Sequence, residues 1–410
     1  MRRVAVSGLG VVSPLGNDVD TVFARARAGR SGVHRLDIPF AARLNAPLAA
    51  TSRLDVEALF DATQRRSMDR FSLMALAAAR QAVAASHEAL RGADLERAGV
   101  FMGNGMGGTL SMDEGYQTLY GDNSNRIKPF TILLGMHNAP AAWIGIEFGF
   151  RGPNLTYSTA CSSSTVALGE AWLRVASGQL DVALAGGTEA PLSPGSLKAW
   201  EALRTVARVD EAEPAASCKP FSLDRSGMVL GEGAAMLVLE PWDRAVARGA
   251  PILGEILGYG LSNDASHITQ PGVEGQAAAL RAALRSAGIH AEQVDAINAH
   301  GTGTQANDRT ETAAIKVVLG AHAGRIPVSA TKALHGHLLG AAGALECVLS
   351  LLQLQHQVAL PTMHLRVSDP ECDLDYVPNA ARAGVAMRTM LSNSFAFGGT
   401  NAVLVLGAAR

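Results

Sequence analysis

Four residues whose side chains can do chemistry at a carbonyl carbon stand where strand-like runs give way to turns: Cys161, His300, Lys332 and His337. Cys161 separates a β-type run at residues 155–158 from a segment of helical period, TACSSSTVALGEAWL. A thiol at a helix start feels the positive end of the helix dipole, which favours the thiolate, the form that attacks carbon. Ser162, Ser163, Ser164 and Thr165 crowd the first turn, where hydroxyls are expected to cap free backbone N–H groups and leave room for a reagent. A lone cysteine is equally a small buried hydrophobe in most proteins, so position alone leaves both readings open. Cysteine with one histidine would suit a papain-like hydrolase. Two histidines and a lysine suit a carbon–carbon bond-forming acyl transfer. There the thiolate holds an acyl group as a thioester, and neutral imidazole N–H groups steady an enolate oxygen, each such donor being worth roughly 2–4 kcal/mol of barrier.

The elements that must position these groups follow from the pattern of the chain. Residues 4–12 read as a buried strand, 17–29 as a short helix, 31–50 as irregular, and Phe71, Met74, Ala75, Ala78, Ala82 and Val83 recur at helical spacing. A strand at 100–102 runs into the Gly-rich 103–108, which lacks the Lys-Ser/Thr of a phosphate loop and suits close backbone approach instead. Residues 113–149 read as an insertion, 182–185 as a strand ending in Gly186-Gly187-Thr188, and 193–224 as irregular and polar. At Pro251 the chain starts again: residues 252–262 echo 4–13, a helix follows, and the strand at 294–299 ends in HGTGT as the earlier one ends in GNGMGG. Phe397-Gly398-Gly399-Thr400 resembles the first GGT. The repeated order predicts two duplicated halves, residues 1–250 and 251–410. It sets Cys161 and the Lys332/His337 segment in equivalent turns that face each other, with a site at the junction.

Composition narrows the class. The chain has 410 residues, a formal charge of −2 and 5% aromatics, with abundant small residues that suit closely packed helices on sheets. The charge argues against a general nucleic-acid surface. Cys161, Cys218, Cys347 and Cys372 form no C-x-x-C pair, so a metal or disulfide framework is not expected. Gly8, Gly10, Pro14 and Gly16 break the N-terminal apolar run before it resembles a signal peptide, and no run reaches membrane-spanning length. The expectation is a cytoplasmic protein that binds neither nucleic acid nor membrane.

Four motifs carry a family resemblance: TACSS at 159–163, NAHGTGT at 298–304, KALHGHLLGAAG at 332–343 and NSFAFGGTN at 393–401. In this order, and over nearly the whole chain, the sequence resembles the elongating β-ketoacyl-acyl carrier protein synthases of the thiolase superfamily. The resemblance implies an α/β thiolase fold, an αβαβα five-layer sandwich, and a decarboxylative Claisen condensation with malonyl-acyl carrier protein. Cys161 would be the acyl-accepting nucleophile, and His300 and His337 the malonyl-binding and decarboxylating pair. Lys332 would pair with Glu346. Thr302 and Thr304 would bond the phosphopantetheine arm, and the N–H groups of Cys161 and Phe397 would form the oxyanion hole, Phe397 and Gly399 belonging to a gating turn. Met106 would line the acyl pocket. His335 and His267 receive no catalytic role.

The resemblance further implies an acyl carrier protein partner, no cofactor beyond that partner's phosphopantetheine, no metal, and a homodimer or a heterodimer with a chain-length partner. Arg65, Arg66, Arg126 and Lys128 are candidates for steering the acidic carrier to the pocket mouth. Residues 305–312 are closer to dissociated (type II) polyketide ketosynthases, whereas KALHGHLLGAAGA resembles the fatty-acid branch, so fatty-acid, polyketide and aryl polyene pathways stay open. A non-catalytic chain-length partner generally lacks the cysteine, and a coenzyme A-dependent thiolase has a second cysteine where this chain has Phe397-Gly398-Gly399.

Overall fold

The computed structural model describes residues 1–87 and 89–409. Ten strands form its main sheet: β1 (Val4–Val12), β2 (Ala98–Gly103), β3 (Asn154–Tyr157), β4 (Val182–Glu189), β5 (Gly233–Pro241), β6 (Gly254–Asn263), β7 (Ala296–Asn298), β8 (Val328–Ser329), β9 (Thr389–Phe395) and β10 (Thr400–Gly407). Every residue of β1, β4 and β5 is buried, the signature of strands covered on both faces. Their order is β8-β7-β9-β10-β6-β1-β5-β4-β2-β3. Adding five to each strand number of one half reproduces the other half in mirror order. The halves join where β1 pairs antiparallel with β6, Val4 opposite Ile256.

The helices repeat in the same way: α1 (Arg70–Ala85), α2 (Ala139–Phe148) and α3 (Ser163–Ala176) in the first half, α4 (Val273–Ala287), α5 (Gln305–Leu319) and α6 (Ala342–His356) in the second. Their burial sorts them into layers. In α6 every residue from Ala342 to Leu354 is buried, and α3 is buried on nearly all sides, so these two lie at the centre, packed on each other and on strands of both halves. In α4 the buried positions Gln276, Ala277, Ala279, Leu280, Ala283 and Leu284 recur at helical spacing on one face, as an outer helix requires. Helices α1 and α2 cover the first half's sheet and α4 and α5 the second's, which completes five layers.

Cys161 lies between β3 and α3, and Lys332 and His337 between β8 and α6, so the two segments do fill equivalent crossovers. One equivalence fails. Gly186-Gly187-Thr188 is inside strand β4, whereas Gly398-Gly399 is the turn from β9 to β10. By strand order that turn matches the entry to β5 at Gly233, and the small-residue composition had made unrelated GGT triplets look alike. The segments read as irregular hold local order: a small hairpin of Val33–Arg35 with Leu48–Ala50, and a helix at Pro194–Ala202. The 113–149 insertion carries further short helices before α2.

Candidate active site

The nucleophile turn is tight. Ala160 has φ +50°, a left-handed conformation that costs a non-glycine residue about 1 kcal/mol or more, and it lifts Cys161 out of the strand direction into a single 3-10 turn before α3. The neighbouring hydroxyls do not cap the helix, contrary to expectation. Ser163 Oγ accepts from Thr159 N (2.9 Å) and donates to Ala160 O (2.6 Å), closing the turn on itself. Ser164 Oγ accepts from Ala344 N at 2.9 Å and Thr165 Oγ1 meets Ser394 Oγ at 2.7 Å, so these two stitch the nucleophile helix to the other half of the chain.

Cys161 Sγ, one imidazole nitrogen of His300 and one of His337 lie within 4.8 Å of one another, and all three residues are buried. The two rings stand edge to face, centroids 5.5 Å apart. Leu339 N–H reaches His337 Nδ1 at 3.1 Å, and the Lys332 ammonium reaches His300 Nδ1 at 3.3 Å. A backbone N–H and an ammonium only donate, so both Nδ1 atoms accept and both protons sit on Nε2. Burial and the nearby Lys332 charge hold both imidazoles well below the usual histidine range, hence neutral. His337 Nε2 has no protein partner. The three groups have the composition of a metal site, but with these tautomers the imidazoles offer N–H donors where a metal needs lone pairs. The same tautomers leave no imidazole lone pair to take the thiol proton, which separates this arrangement from a papain-like pair.

The thiol itself corrects a sequence expectation. Burial pushes Cys161 up from 9.0 to about 12, opposed by the Lys332 charge and the Phe397 backbone N–H. That rise is worth roughly 4 kcal/mol. A helix terminus supplies at most about 2 kcal/mol, so burial opposes the thiolate more strongly than the helix start favours it.

Lys332 is buried and makes three contacts: His300 O at 2.6 Å, His300 Nδ1, and a close ion pair with Glu346 Oε1, the expected partner. It holds His300 from behind and does not line the cavity. Glu311, also buried, accepts from the backbone N–H of His300 and Gly301, each at 2.8 Å. Burial pushes Glu346 up to about 7 against the pull of Lys332.

A cavity of about 170 Å³ opens onto this cluster, lined by Cys161, His300, His337, Thr302, Thr304 and Phe397 among others. Thr302 and Thr304 join hydroxyls at 2.9 Å, and Thr304 caps α5. Gly399 also lines it; its φ of +77° and the 2.9 Å separation its Cβ would have from Asp264 Cβ explain a glycine in that turn. The half-buried Phe397 ring stacks on Trp200 at 6.2 Å. Met106 lies off this cavity, packed against the apolar cluster of Cys161, Leu197, Met228, Leu230 and Leu339.

Arg65, Arg66, Arg126 and Lys128 do not line the cavity; Arg65 is 3.7 Å from Glu57, and Lys128 pairs with Glu114 at 2.8 Å. His335 is buried away from the cavity, its Nε2 3.1 Å from Thr331 Oγ1, and burial pushes it down to about 3. His267, set aside from sequence as structural or surface, is exposed and stands at the cavity's lining, with Nδ1 accepting from Thr269 N and Gln270 N at 3.1 and 3.2 Å. Thr205 and Met228 of the lining were not foreseen, because they come from the polar stretch before β5 and reach the site only through long-range packing.

A duplicated five-layer α/β sandwich with its reactive groups at the junction of the halves is a thiolase-type fold. The β-ketoacyl synthase N-terminal domain model matches residues 1–245 and the C-terminal domain model residues 253–366. Nodulation protein E of Rhizobium meliloti (strain 1021) is 43% identical, and 3-oxoacyl-[acyl-carrier-protein] synthase 2 of Staphylococcus aureus (strain N315) 39%, each over 98% of both chains. A solved complex of a type II PKS acyl-carrier protein with its ketosynthase bound to the hexaketide superposes with TM-score 0.92 at 32% identity over all of both chains. The chain belongs to the β-ketoacyl synthase family. It is an acyltransferase of the elongating ketosynthase type, and among the described residues no helix is long and apolar enough to cross a membrane.

Proposed function

We propose that the chain extends a Cys161-bound acyl group with malonyl units delivered on an acyl carrier protein. The observation that carries this is a thiol beside two imidazoles that line one cavity and have their Nδ1 atoms engaged, which leaves the Nε2–H groups as the donors available there. In the first half-reaction the carrier thioester exchanges with Cys161: the S–acyl bond to the carrier breaks, the bond to Sγ forms, and the thiol proton leaves with the carrier's thiol. The Phe397 and Cys161 backbone N–H groups steady the tetrahedral oxyanion. In the second, malonyl thioester loses carbon dioxide, and the resulting enolate oxygen is held by the Nε2–H groups of His300 and His337. Its carbon attacks the acyl carbonyl, and the departing Cys161 thiolate regains a proton from solvent. Thr302 and Thr304 suit the amide groups of the phosphopantetheine arm, which is the only cofactor the scheme calls on and belongs to the carrier.

The chain divides near residue 250 into a half that carries the nucleophile and a half that carries the histidines. The edge strand β3 and the exposed Tyr120, Phe130, Ile132, Leu133 and Ile146 support a subunit interface on the first half, with a second copy or a chain-length partner. Intact-mass measurement after mixing with acyl-carrier substrate tests the reading: the acyl mass is expected on Cys161, and product formation with Cys161 never modified would contradict it.

A further inference from the structure

Glu189 ends strand β4 with a side chain that is fully buried, and among the described residues no ion pair reaches it. A buried carboxylate without a cation is costly unless donors surround it. Here three backbone N–H groups do: Gly105 (2.7 Å) and Gly340 (2.9 Å) on Oε2, Met106 (2.9 Å) on Oε1. These donors come from both halves of the chain. Gly105 and Met106 follow β2, and Gly340 follows the turn that carries His337 and Leu339. The two backbones meet closely enough that a Cβ on Gly340 would come 2.5 Å from Gly105 N.

Each donor is one step from a reactive group. Met106 packs in the apolar cluster of Cys161 and Leu339. Leu339, at φ +45°, adjoins Gly340 and gives the N–H that sets the His337 tautomer.

We infer that Glu189 is a positioning residue that holds the Leu339–Gly340 turn against the Gly105–Met106 loop, and thereby keeps the Nε2 proton of His337 aimed into the cavity. The inference rests on the role proposed above for His337. Burial pushes Glu189 up to about 7, and Cys161 is the titratable group that feels its charge. On protonation the acid gains an O–H that faces three donors, so one N–H loses its acceptor and the turn loosens. Decarboxylation should therefore fall as pH drops through about 7.

The test compares wild type with E189Q and E189D on malonyl-carrier decarboxylation from about pH 6 to about pH 8, alongside acylation of Cys161 by mass spectrometry. For wild type a limb near pH 7 is expected. E189Q, whose amide NH2 meets an N–H donor, should be slower by about 10–100-fold at the upper end and show no limb. E189D should recover part of the rate, and Cys161 acylation should fall by less than decarboxylation does, because Glu189 makes none of the hydrogen bonds that close the nucleophile turn, which run from Thr159 N to Ser163 Oγ and from Ser163 Oγ to Ala160 O. A limb that persists in E189Q belongs to another group, such as Glu346, and overturns the inference, as does a wild-type profile that is flat. The wild-type profile stands even where a variant folds poorly. Failure of wild type to acylate Cys161 would instead strike the function proposed above and leaves the Glu189 comparison distinct from it.

Discussion

The crossover from β3 to α3 and the crossover from β8 to α6 occupy the same place in two copies of one scaffold, yet they were elaborated in opposite ways. The first is short and strained: Ala160 at φ +50° throws Cys161 forward, and the surrounding hydroxyls close the turn and bind it to the other half. The second is long and carries Lys332, His335 and His337 before α6 begins. Leu339 N–H of this crossover sets the His337 ring from behind, and its Lys332 ammonium reaches across to the His300 ring, which follows β7. The duplication supplied two facing turns. In the proposed function one of them holds the acyl group and the other makes the carbanion.

The largest effects should separate the two turns. Cys161→Ala removes the acyl acceptor, so condensation measured by product formation should fall to background. His337→Ala should leave acylation of Cys161 within a few-fold but slow malonyl decarboxylation by about 10²–10³, since one enolate donor is lost. Equal loss of both half-reactions in His337→Ala would break the proposed division.

The Lys332–Glu346 pair sharpens the comparison on the stability side. Both groups are buried, so Lys332→Ala leaves a carboxylate without its cation, and chemical denaturation should show a loss of about 3–5 kcal/mol. Glu346 titrates higher in the folded chain than in the unfolded one, where 4.5 is ordinary. Its contribution to stability is therefore full below about 4.5 and is lost as pH rises toward about 7. Lys332→Met/Glu346→Gln should flatten the pH dependence of the melting temperature across that window.

Smaller effects concern the thiol and the carrier. Because burial pushes Cys161 up to about 12, its alkylation by iodoacetamide should rise close to tenfold per pH unit through the neutral range and show no plateau near 7. A plateau there would mean that the turn makes a thiolate after all. Reversing charge at Arg66 and Arg126 should raise the apparent KM for carrier-bound substrate less than about tenfold, and less still at high salt.

Much of this was legible in the residues. A thiol at a helix start marked Cys161, strand-end histidines flanked by glycine marked His300 and the His337 segment, and the repeated order of elements set Cys161 opposite the Lys332/His337 segment. What stayed hidden depends on burial and on distant packing. The helix start at Cys161 is visible in the sequence, but the burial that outweighs it is not. Glu189 sits in VALAGGTE, where a single acidic residue at the end of an apolar strand looks like a surface terminus; only the fold brings Gly340 onto it. His267 and Thr205 reach the cavity from loops whose composition carries no periodic signal. The GGT triplets misled because small-residue turns resemble each other whatever their place in the sheet.

Carbon dioxide release by a Cys161→Gln variant measures directly whether the two crossovers do separate chemistry. A folded Cys161→Gln protein supplied with malonyl-carrier substrate should release carbon dioxide at a rate comparable to or above that of wild type while forming no condensation product. Loss of carbon dioxide release together with condensation, in a variant that melts like wild type, would contradict that separation.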